Sequence, residues 1–433
     1  MKKMFKLSTG DSSSKNKRRK IYIKLGFSAL ILILYLVTQV SVAPGTSNWT
    51  RKYGVSCNTC HTAIPRLNYE GEKFMRNGYQ MTGSQDGDEQ GKQKVDDRLV
   101  IDEIGNFMGV RLSFTMAHIK TNSLTENGET KTSVDIAKPD WIQLFTAGSI
   151  FKNVAVFVET EFETESQKVK NNWFRVGFHN LFGAEGIANI RVGQLSMVEW
   201  HAVTGRLRMI PNVNIEATSG FRSSNGKGED SAPLSSAFPG IEFYGYKGPV
   251  VYSIGTVNGP KLKDPNRDKN LFGTLRLETT GGPLEGSAVT FWGMRGIDTD
   301  STATNQKRNI YWRISPAFNL RYKDLDLIGG FFYGEDNNWT LVSANKRENI
   351  FRAVSAQAGY RISPLFYGVL QYDWINTDLS RTLEFNRITP SIWILPRENM
   401  RIGLTTRIDV QSPEPVVHPE KLHELVVTLR TMF

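Results

Sequence analysis

A C-N-T-C-H run at residues 57–61 contains both cysteines of this 433-residue chain. In a C-x-x-C-H motif the two thiols can add to the vinyl groups of a haem, and the adjacent imidazole binds the iron. A redox disulfide normally lies in a βαβ context, which this sequence lacks. A zinc site needs further ligands at short spacing, whereas the nearest other histidine is His118. The motif therefore predicts one haem c, attached at Cys57 and Cys60 with His61 as the proximal iron ligand.

The second axial ligand has several candidates. We predict Met81, because it follows Gly78 in a loop and a thioether ligand would raise the reduction potential. Met75 is also near, but helical spacing places it on an apolar face, where packing is the simpler role. Met108 and His118 lie at the first predicted strand and could reach a haem in a lumen. A second histidine ligand or an open site stays an alternative.

The segment that must hold the motif, residues 48–83, predicts a small helical cytochrome domain with one helix. Pro65 suits the first helical turn, and Gly78 ends the helix. The residues that share one helical face are Leu67, Gly71, Phe74 and Met75. Residues 84–98 are polar and charged without apolar periodicity, and they predict a linker.

Residues 1–43 predict a signal peptide. Basic residues at positions 15–24 precede an apolar run over 25–42, which ends in a small-x-small triplet. An uncleaved membrane anchor is the alternative, because the run is near the minimum spanning length. Export agrees with the motif, since haem attachment of this kind occurs outside the cytoplasm. These residues carry +8 of the formal net charge of +10, so the basic balance does not indicate a nucleic-acid partner.

The sequence from 99 to 433 alternates between apolar and polar residues. In Ile310–Tyr322 one face is apolar and the other is polar, with two arginines. Such a face suits a wet lumen and not the core of a soluble sandwich. The same pattern recurs at Val154–Glu163, Met400–Asp409 and Glu424–Phe433. We therefore predict an all-β fold, an outer-membrane antiparallel β-barrel of about sixteen strands with both termini in the periplasm.

The order of these parts resembles the outer-membrane fused monohaem cytochrome–porin family of iron-oxidising bacteria, over nearly the whole chain. The most specific part is residues 53–61 together with Pro65, Leu67, Gly71, Phe74, Gly78 and Tyr79. Ile64 and Glu70 stand where aromatic residues are common in that family.

This resemblance implies a function for the haem. Electrons would pass from extracellular Fe(II) to a periplasmic cytochrome c, as in an iron(II):cytochrome c oxidoreductase. Outer-membrane lipid and lipopolysaccharide would surround the barrel, and the haem domain would enter from the periplasmic side. Two alternatives stay open. One is a conduit for another extracellular donor or acceptor, and the other is a transport porin with a structural haem plug.

Two further features concern the lumen. An acidic row with a period of two is formed by Glu159, Glu161, Glu163 and Glu165. Carboxylates can guide hard cations, but porin lumens routinely carry acidic rows, and Arg175 and His179 are natural partners. The irregular stretch Met197–Pro211, which includes Trp200 and His201, could fold inward as a constriction. No P-loop, dinucleotide fingerprint or Ser-His-Asp order is present.

Overall fold

The computed structural model describes residues 47–81, 93–94, 100–101, 104–124, 130–183, 185–203, 222–224, 231–234, 236–259, 267–300, 307–341, 348–377, 385–410 and 420–433. The predicted signal peptide and most of the predicted linker lie outside these residues. Among the described residues, no helix is long and apolar enough to cross a membrane.

The N-terminal described segment, residues 47–81, is called the plug below. It contains α1 (Asn48–Tyr53), a 3-10 turn (Cys57–Thr59), β1 (His61–Ala63), β2 (Arg66–Leu67) and α2 (Tyr69–Arg76). The first of these helices was not predicted. Strands β1 and β2 form a small antiparallel hairpin, as do β3 (Gln93–Lys94) and β4 (Val100–Ile101).

Helix α2 begins later than predicted. Pro65 lies in the turn between β1 and β2. The residues on either side of this turn pair with each other as antiparallel strands, so they cannot be helical. Asn68 instead caps the helix, since its side-chain oxygen accepts a hydrogen bond of 2.9 Å from the Gly71 N–H. The predicted end is close to the observed one: Gly78, with a φ of 66°, follows shortly after the last helical residue.

The remaining strands form the barrel. They are β5 (Met108–Leu124), β6 (Thr130–Phe151), β7 (Val154–Glu163), β8 (Lys168–Phe178), β9 (Asn189–Leu195), β10 (Phe238–Lys247), β11 (Val250–Val257), β12 (Asn270–Glu278), β13 (Ala288–Asp300), β14 (Lys307–Tyr322), β15 (Leu325–Asp336), β16 (Asn349–Arg361), β17 (Phe366–Thr377), β18 (Phe385–Arg397), β19 (Met400–Asp409) and β20 (Glu420–Met432). Within the described residues, these sixteen antiparallel strands close into one ring, because β20 pairs with β5. The predicted fold is confirmed, and closure leaves the sheet without a free edge.

The two faces of the barrel differ as the alternation predicts. In β14, Tyr311, Arg313 and Ser315 are buried on the lumen side, whereas Ile314 and Phe318 on the other side are exposed. Further exposed large apolar side chains on other strands include Ile254, Leu271, Phe291 and Leu370. An apolar outer surface around a polar interior is the pattern of a membrane-spanning β-barrel.

The plug and residues 196–203, called the inward loop below, pack into the lumen. Trp200 and His201 in this loop are buried, and the His201 ring lies 4.7 Å from that of Phe332 on β15. Residues 197–203 fold inward as predicted, whereas residues 204–211 lie outside the described part of the chain. Residues 222–224 and 231–234 also pack against the barrel interior: the Ser224 hydroxyl donates to Asp298 at 2.9 Å, and Leu234 is buried in the same apolar cluster as Met197.

The plug lies at the end of the barrel where several neighbouring strands are joined by short turns. Glu398, in the turn between β18 and β19, accepts a hydrogen bond of 3.0 Å from the Cys57 N–H. Arg361, at the end of β16, donates to the carbonyl of Thr62. The C–x–x–C–H motif is therefore held directly against the barrel.

Candidate functional site

All three motif residues line one cavity between the plug and the barrel. Its volume is about 320 Å³, within the range of about 300–1,000 Å³ that small-molecule sites occupy. Cys57, Cys60 and His61 form part of its lining. The apolar residues that also line it include Leu67, Phe74, Met75, Phe145, Phe157, Trp173 and Val198. The motif thus opens onto an apolar space inside the lumen.

Local structure explains how the motif is held there. The 3-10 turn begins at Cys57 and is capped by Cys60, and both cysteines line the cavity. Strand β1 begins at the next residue, His61. Asn68 donates from its side-chain amide to the carbonyls of Asn58 and Thr59, both at 3.0 Å. The cap of α2 therefore also fixes the backbone between the cysteines.

Gly71 allows α2 to lie against the motif. A Cβ atom at this position would overlap the backbone carbonyl of Cys60. Only a residue without a side chain fits this approach, which gives a physical reason for the glycine that the sequence places on the apolar face of the helix.

No disulfide joins Cys57 and Cys60. Burial, followed by the charge of Glu398, raises the pKa of Cys57 to about 11. Burial, Cys57 and Glu70 likewise raise the pKa of Cys60 to about 11. Redox-active dithiols have a lowered pKa, so this environment is unlike theirs.

The donor set also bears on the choice between zinc and haem. Within the described residues, no group of three or more histidine, cysteine or acidic side chains could hold a metal ion. A haem c instead requires two thiols, an imidazole, an apolar pocket and partners for two carboxylates. The cavity supplies the first three, and Arg111, Arg401 and Arg430 also line it. The residues present fit this group.

The opposite side of the plug is bound by ion pairs. The barrel residues of this network, called the ionic wall below, are Arg276, Glu278, Arg321 and Asp326. Glu72 of α2 lies 2.6 Å from Arg276 and also pairs with Arg321. All of these side chains are largely buried.

Two further pairs join the plug to this network. Arg76 lies 2.8 Å from Glu278, and Arg66 contacts both carboxylate oxygens of Asp326 at 2.6 and 2.7 Å. Burial alone would raise the pKa of Glu72, but the surrounding arginines lower it to about 2. The network therefore holds Glu72 as a carboxylate and anchors α2 and the β1–β2 hairpin to the barrel.

The candidate distal ligands are in different places. Met75 is 5 % exposed and lines the cavity. Met81 is partly buried beside the aromatic cluster of the plug and is not among the cavity-lining residues. Met108 is exposed at the start of β5, and His118 pairs with Glu424 farther along that strand. The prediction of Met81 as ligand stays a prediction.

Three members of the acidic row, Glu159, Glu161 and Glu163, lie on β7. Glu165 was predicted to continue the row, but it is exposed in the turn after β7 and pairs with Lys138. Gln143 donates to Glu159 at 3.1 Å and also to Glu161, whereas Glu163 pairs with Lys170. The two residues expected to pair with this row bind other groups. Arg175 pairs with Glu199 at 3.1 Å, and the His179 ring contacts the Tyr244 hydroxyl at 2.8 Å. The row is therefore tied to side chains of neighbouring strands.

Sequence reasoning did not identify the arginines of the cavity or the ionic wall. The alternation of Met400–Asp409 and of the last strand does place Arg401 and Arg430 on the polar face. It gives no information about which lumen positions meet the plug, because this depends on contacts between residues far apart in the chain.

The fold resembles those of solved outer-membrane porins. An anion-selective porin from Comamonas acidovorans has 11 % sequence identity and a TM-score of 0.53, over 75 % of this chain and 99 % of that chain. OmpF from Salmonella typhi, solved in complex with daunomycin, has 11 % identity and a TM-score of 0.51, over 79 % and 100 % of the two chains. The outer-membrane channel DcaP of Acinetobacter baumannii has 11 % identity and a TM-score of 0.52, over 75 % and 97 %.

At this level of identity the likeness shows the fold alone. No protein-family model and no curated protein matches the chain. The chain therefore has the fold of a sixteen-stranded outer-membrane porin, with a plug that contains a C-x-x-C-H motif.

Proposed function

We propose that this chain is an outer-membrane electron-transfer protein that binds one haem c inside a porin-like barrel. Electrons would come from extracellular Fe(II) and leave to a periplasmic cytochrome c. The observation that carries this proposal is that Cys57, Cys60 and His61 line one apolar cavity in the lumen. When bound, the haem supplies reversible one-electron chemistry at its iron.

Each group of residues has a separate task in this proposal. Cys57 and Cys60 hold the porphyrin covalently, and His61 binds the iron. The apolar lining, which includes Phe74 and Trp173, excludes water. A low-dielectric environment disfavours the additional positive charge of the ferric state and raises the reduction potential, which suits a group that accepts electrons from iron.

The position of the plug agrees with a periplasmic electron carrier as the partner. In bacterial outer-membrane barrels the short turns face the periplasm and the longer loops face outward. The plug contacts short turns such as the one at Glu398, so the motif would lie near the periplasmic mouth. A soluble acceptor could dock there, while the barrel carries the chain through the lipid.

Covalent haem is the first requirement to test. The full chain is expressed with periplasmic cytochrome c maturation and purified in detergent. We expect the denatured polypeptide to retain the mass of one haem and its Soret absorbance, and the C57S/C60S variant to lose both. A wild-type chain produced beside a correctly matured control cytochrome, but without covalent haem, would overturn the proposal.

Iron as the donor needs a second experiment. Rapid mixing of the oxidised protein with Fe(II) should reduce the haem, and a redox titration should give a potential that allows it. The H61A variant should lose this activity. If the haem is present but no pH tried gives reduction, Fe(II) is excluded and another extracellular donor or acceptor takes its place.

A transport porin with a structural haem plug is the second candidate. The observation in its favour is the fold, which is shared with proteins named as porins and channels. Conductance of the haem-loaded chain in planar bilayers and solute uptake into liposomes distinguish the two. A large stable current or rapid uptake favours transport, whereas the plug and inward loop lead us to expect a low conductance.

A further inference from the structure

Three arginines on neighbouring strands face the haem cavity. They are Arg111 on β5, Arg401 on β19 and Arg430 on β20, and all three line the cavity together with Cys57 and His61. We call them the arginine wall. Arg401 is directly opposite Arg430 in the strand register, and Arg430 is opposite Ser113, two residues beyond Arg111.

The guanidinium groups of this wall are positioned by aromatic rings. Arg401 lies 5.0 Å from the ring of Trp393, and Arg430 lies 4.9 Å from that of Trp141. Arg111 lies 5.0 Å from the same Trp141 ring. Stacking of this kind fixes a planar guanidinium and leaves its edge able to donate hydrogen bonds.

Hydrogen bonds also position the wall, and the carboxylates of Glu159 and Glu199 line the same cavity. Arg430 donates to the Ser113 hydroxyl at 3.0 Å, Arg401 donates to a carbonyl of the plug, and Arg111 donates to Gln143 at 2.7 Å. Glu159 lies 4.0 Å from Arg111, and its carboxylate also accepts from Gln143.

Guanidinium groups that line a largely apolar cavity can bind an anionic group placed there. Carboxylates match guanidinium geometry best, because they can accept two parallel hydrogen bonds. The cavity also contains the attachment thiols. We infer that the arginine wall binds the two propionate groups of the haem, an inference that rests on the function proposed above.

The holo-protein provides the first test, by spectroelectrochemical titration. Loss of a positive charge beside the propionates stabilises the ferric state, so R401Q and R430Q should each lower the midpoint potential. R401K should retain most of the wild-type value. R407Q is the matched control, because Arg407 is also on β19 but pairs with Glu424 and does not line the cavity. Equal potentials in wild type, R401Q, R430Q and R407Q would overturn the inference.

A second test uses added porphyrin and does not depend on the iron potential. The C57S/C60S full chain is titrated with haemin and with haemin dimethyl ester, in which both propionates are masked. We expect haemin to bind at least tenfold more tightly, and R430Q to reduce this ratio severalfold. Equal affinities for the two porphyrins mean that the wall is only a basic row of a solvated lumen. Absence of covalent haem from the wild-type chain would instead refute the proposed function, so the two failures are distinguishable.

Discussion

The plug meets the barrel through two walls of opposite character. On the ionic wall, Glu72 and Arg76 of the plug are matched by buried charges of opposite sign. On the arginine wall, three arginines line a largely apolar cavity, together with the carboxylates of Glu159 and Glu199. A closed network of buried ion pairs holds a segment in place. In the proposed function, the ionic wall therefore positions the plug, and the arginine wall binds the haem.

The largest effect is expected when the plug loses one charge that pairs with the ionic wall. Glu72→Gln leaves Arg276 and Arg321 without their shared carboxylate, and breaking a buried ion pair in this way costs about 3–5 kcal/mol. We expect the plug to become sensitive to added protease while the barrel strands stay resistant.

Glu70→Gln is the matched control. Glu70 is two residues away on the same helix, but its side chain is 53 % exposed and pairs with Lys73. An exposed pair contributes only about 0–1 kcal/mol, so this variant should be digested like the wild type. Equal protease sensitivity of the two variants would contradict an anchoring role for the ionic wall.

Acid should weaken the same attachment. The pKa of Glu72 is lowered from 4.5 to about 2, so its contribution is fully present above about pH 4.5 and is lost as the pH falls toward about 2. Protease release of the plug, measured with an acid-stable protease across this range, should increase as the pH falls.

Other carboxylates of the network, such as those of Glu278 and Asp326, also face the plug. Glu72→Gln removes one titrating carboxylate and leaves the others in place. Protease release of the plug in this variant should therefore change less with pH than release in the wild type does. A profile for this variant parallel to that of the wild type would assign the acid sensitivity to the other carboxylates.

The close approach of α2 to the motif provides a third test. Gly71→Ala would force the helix away from the Cys60 carbonyl, and overpacking of this kind costs about 1–3 kcal/mol. We expect a lower fraction of chains with covalent haem, measured by intact mass. Gly105→Ala is the control, because a Cβ there would contact nothing within 4 Å. Unchanged haem content in Gly71→Ala would show that the helix can move without disturbing the motif.

Much of the barrel could be predicted from sequence, because the signal is local. In a strand that separates lipid from water, apolar and polar side chains alternate from one residue to the next. The predicted segments Val154–Glu163 and Met400–Asp409 coincide with β7 and β19. The helix start was predicted less well. Pro65 is compatible with a first helical turn, but a hairpin that depends on pairing between β1 and β2 uses it instead.

The candidate site also has a part that local sequence predicts and a part that it does not. The haem chemistry predicted for Cys57, Cys60 and His61 depends only on adjacent residues, so a sequence motif is sufficient to predict it. The ionic wall depends on pairs such as Arg66 with Asp326, which are 260 residues apart in the chain. Neither alternation nor composition specifies which lumen positions lie opposite the plug, and that information comes only from the closed barrel.

The smallest expected effect concerns which methionine of the plug binds the haem iron opposite His61. Met75 lines the cavity and Met81 does not, so we expect Met75→Leu to abolish the near-infrared charge-transfer band of the ferric protein and Met81→Leu to retain it. Leucine conserves the volume of methionine, and such exchanges usually cost less than about 1.5 kcal/mol, so the folded chain should survive both changes. Loss of the band in Met81→Leu alone would instead support the ligand predicted from sequence. That result would require the end of the plug to move toward the cavity when the haem is attached.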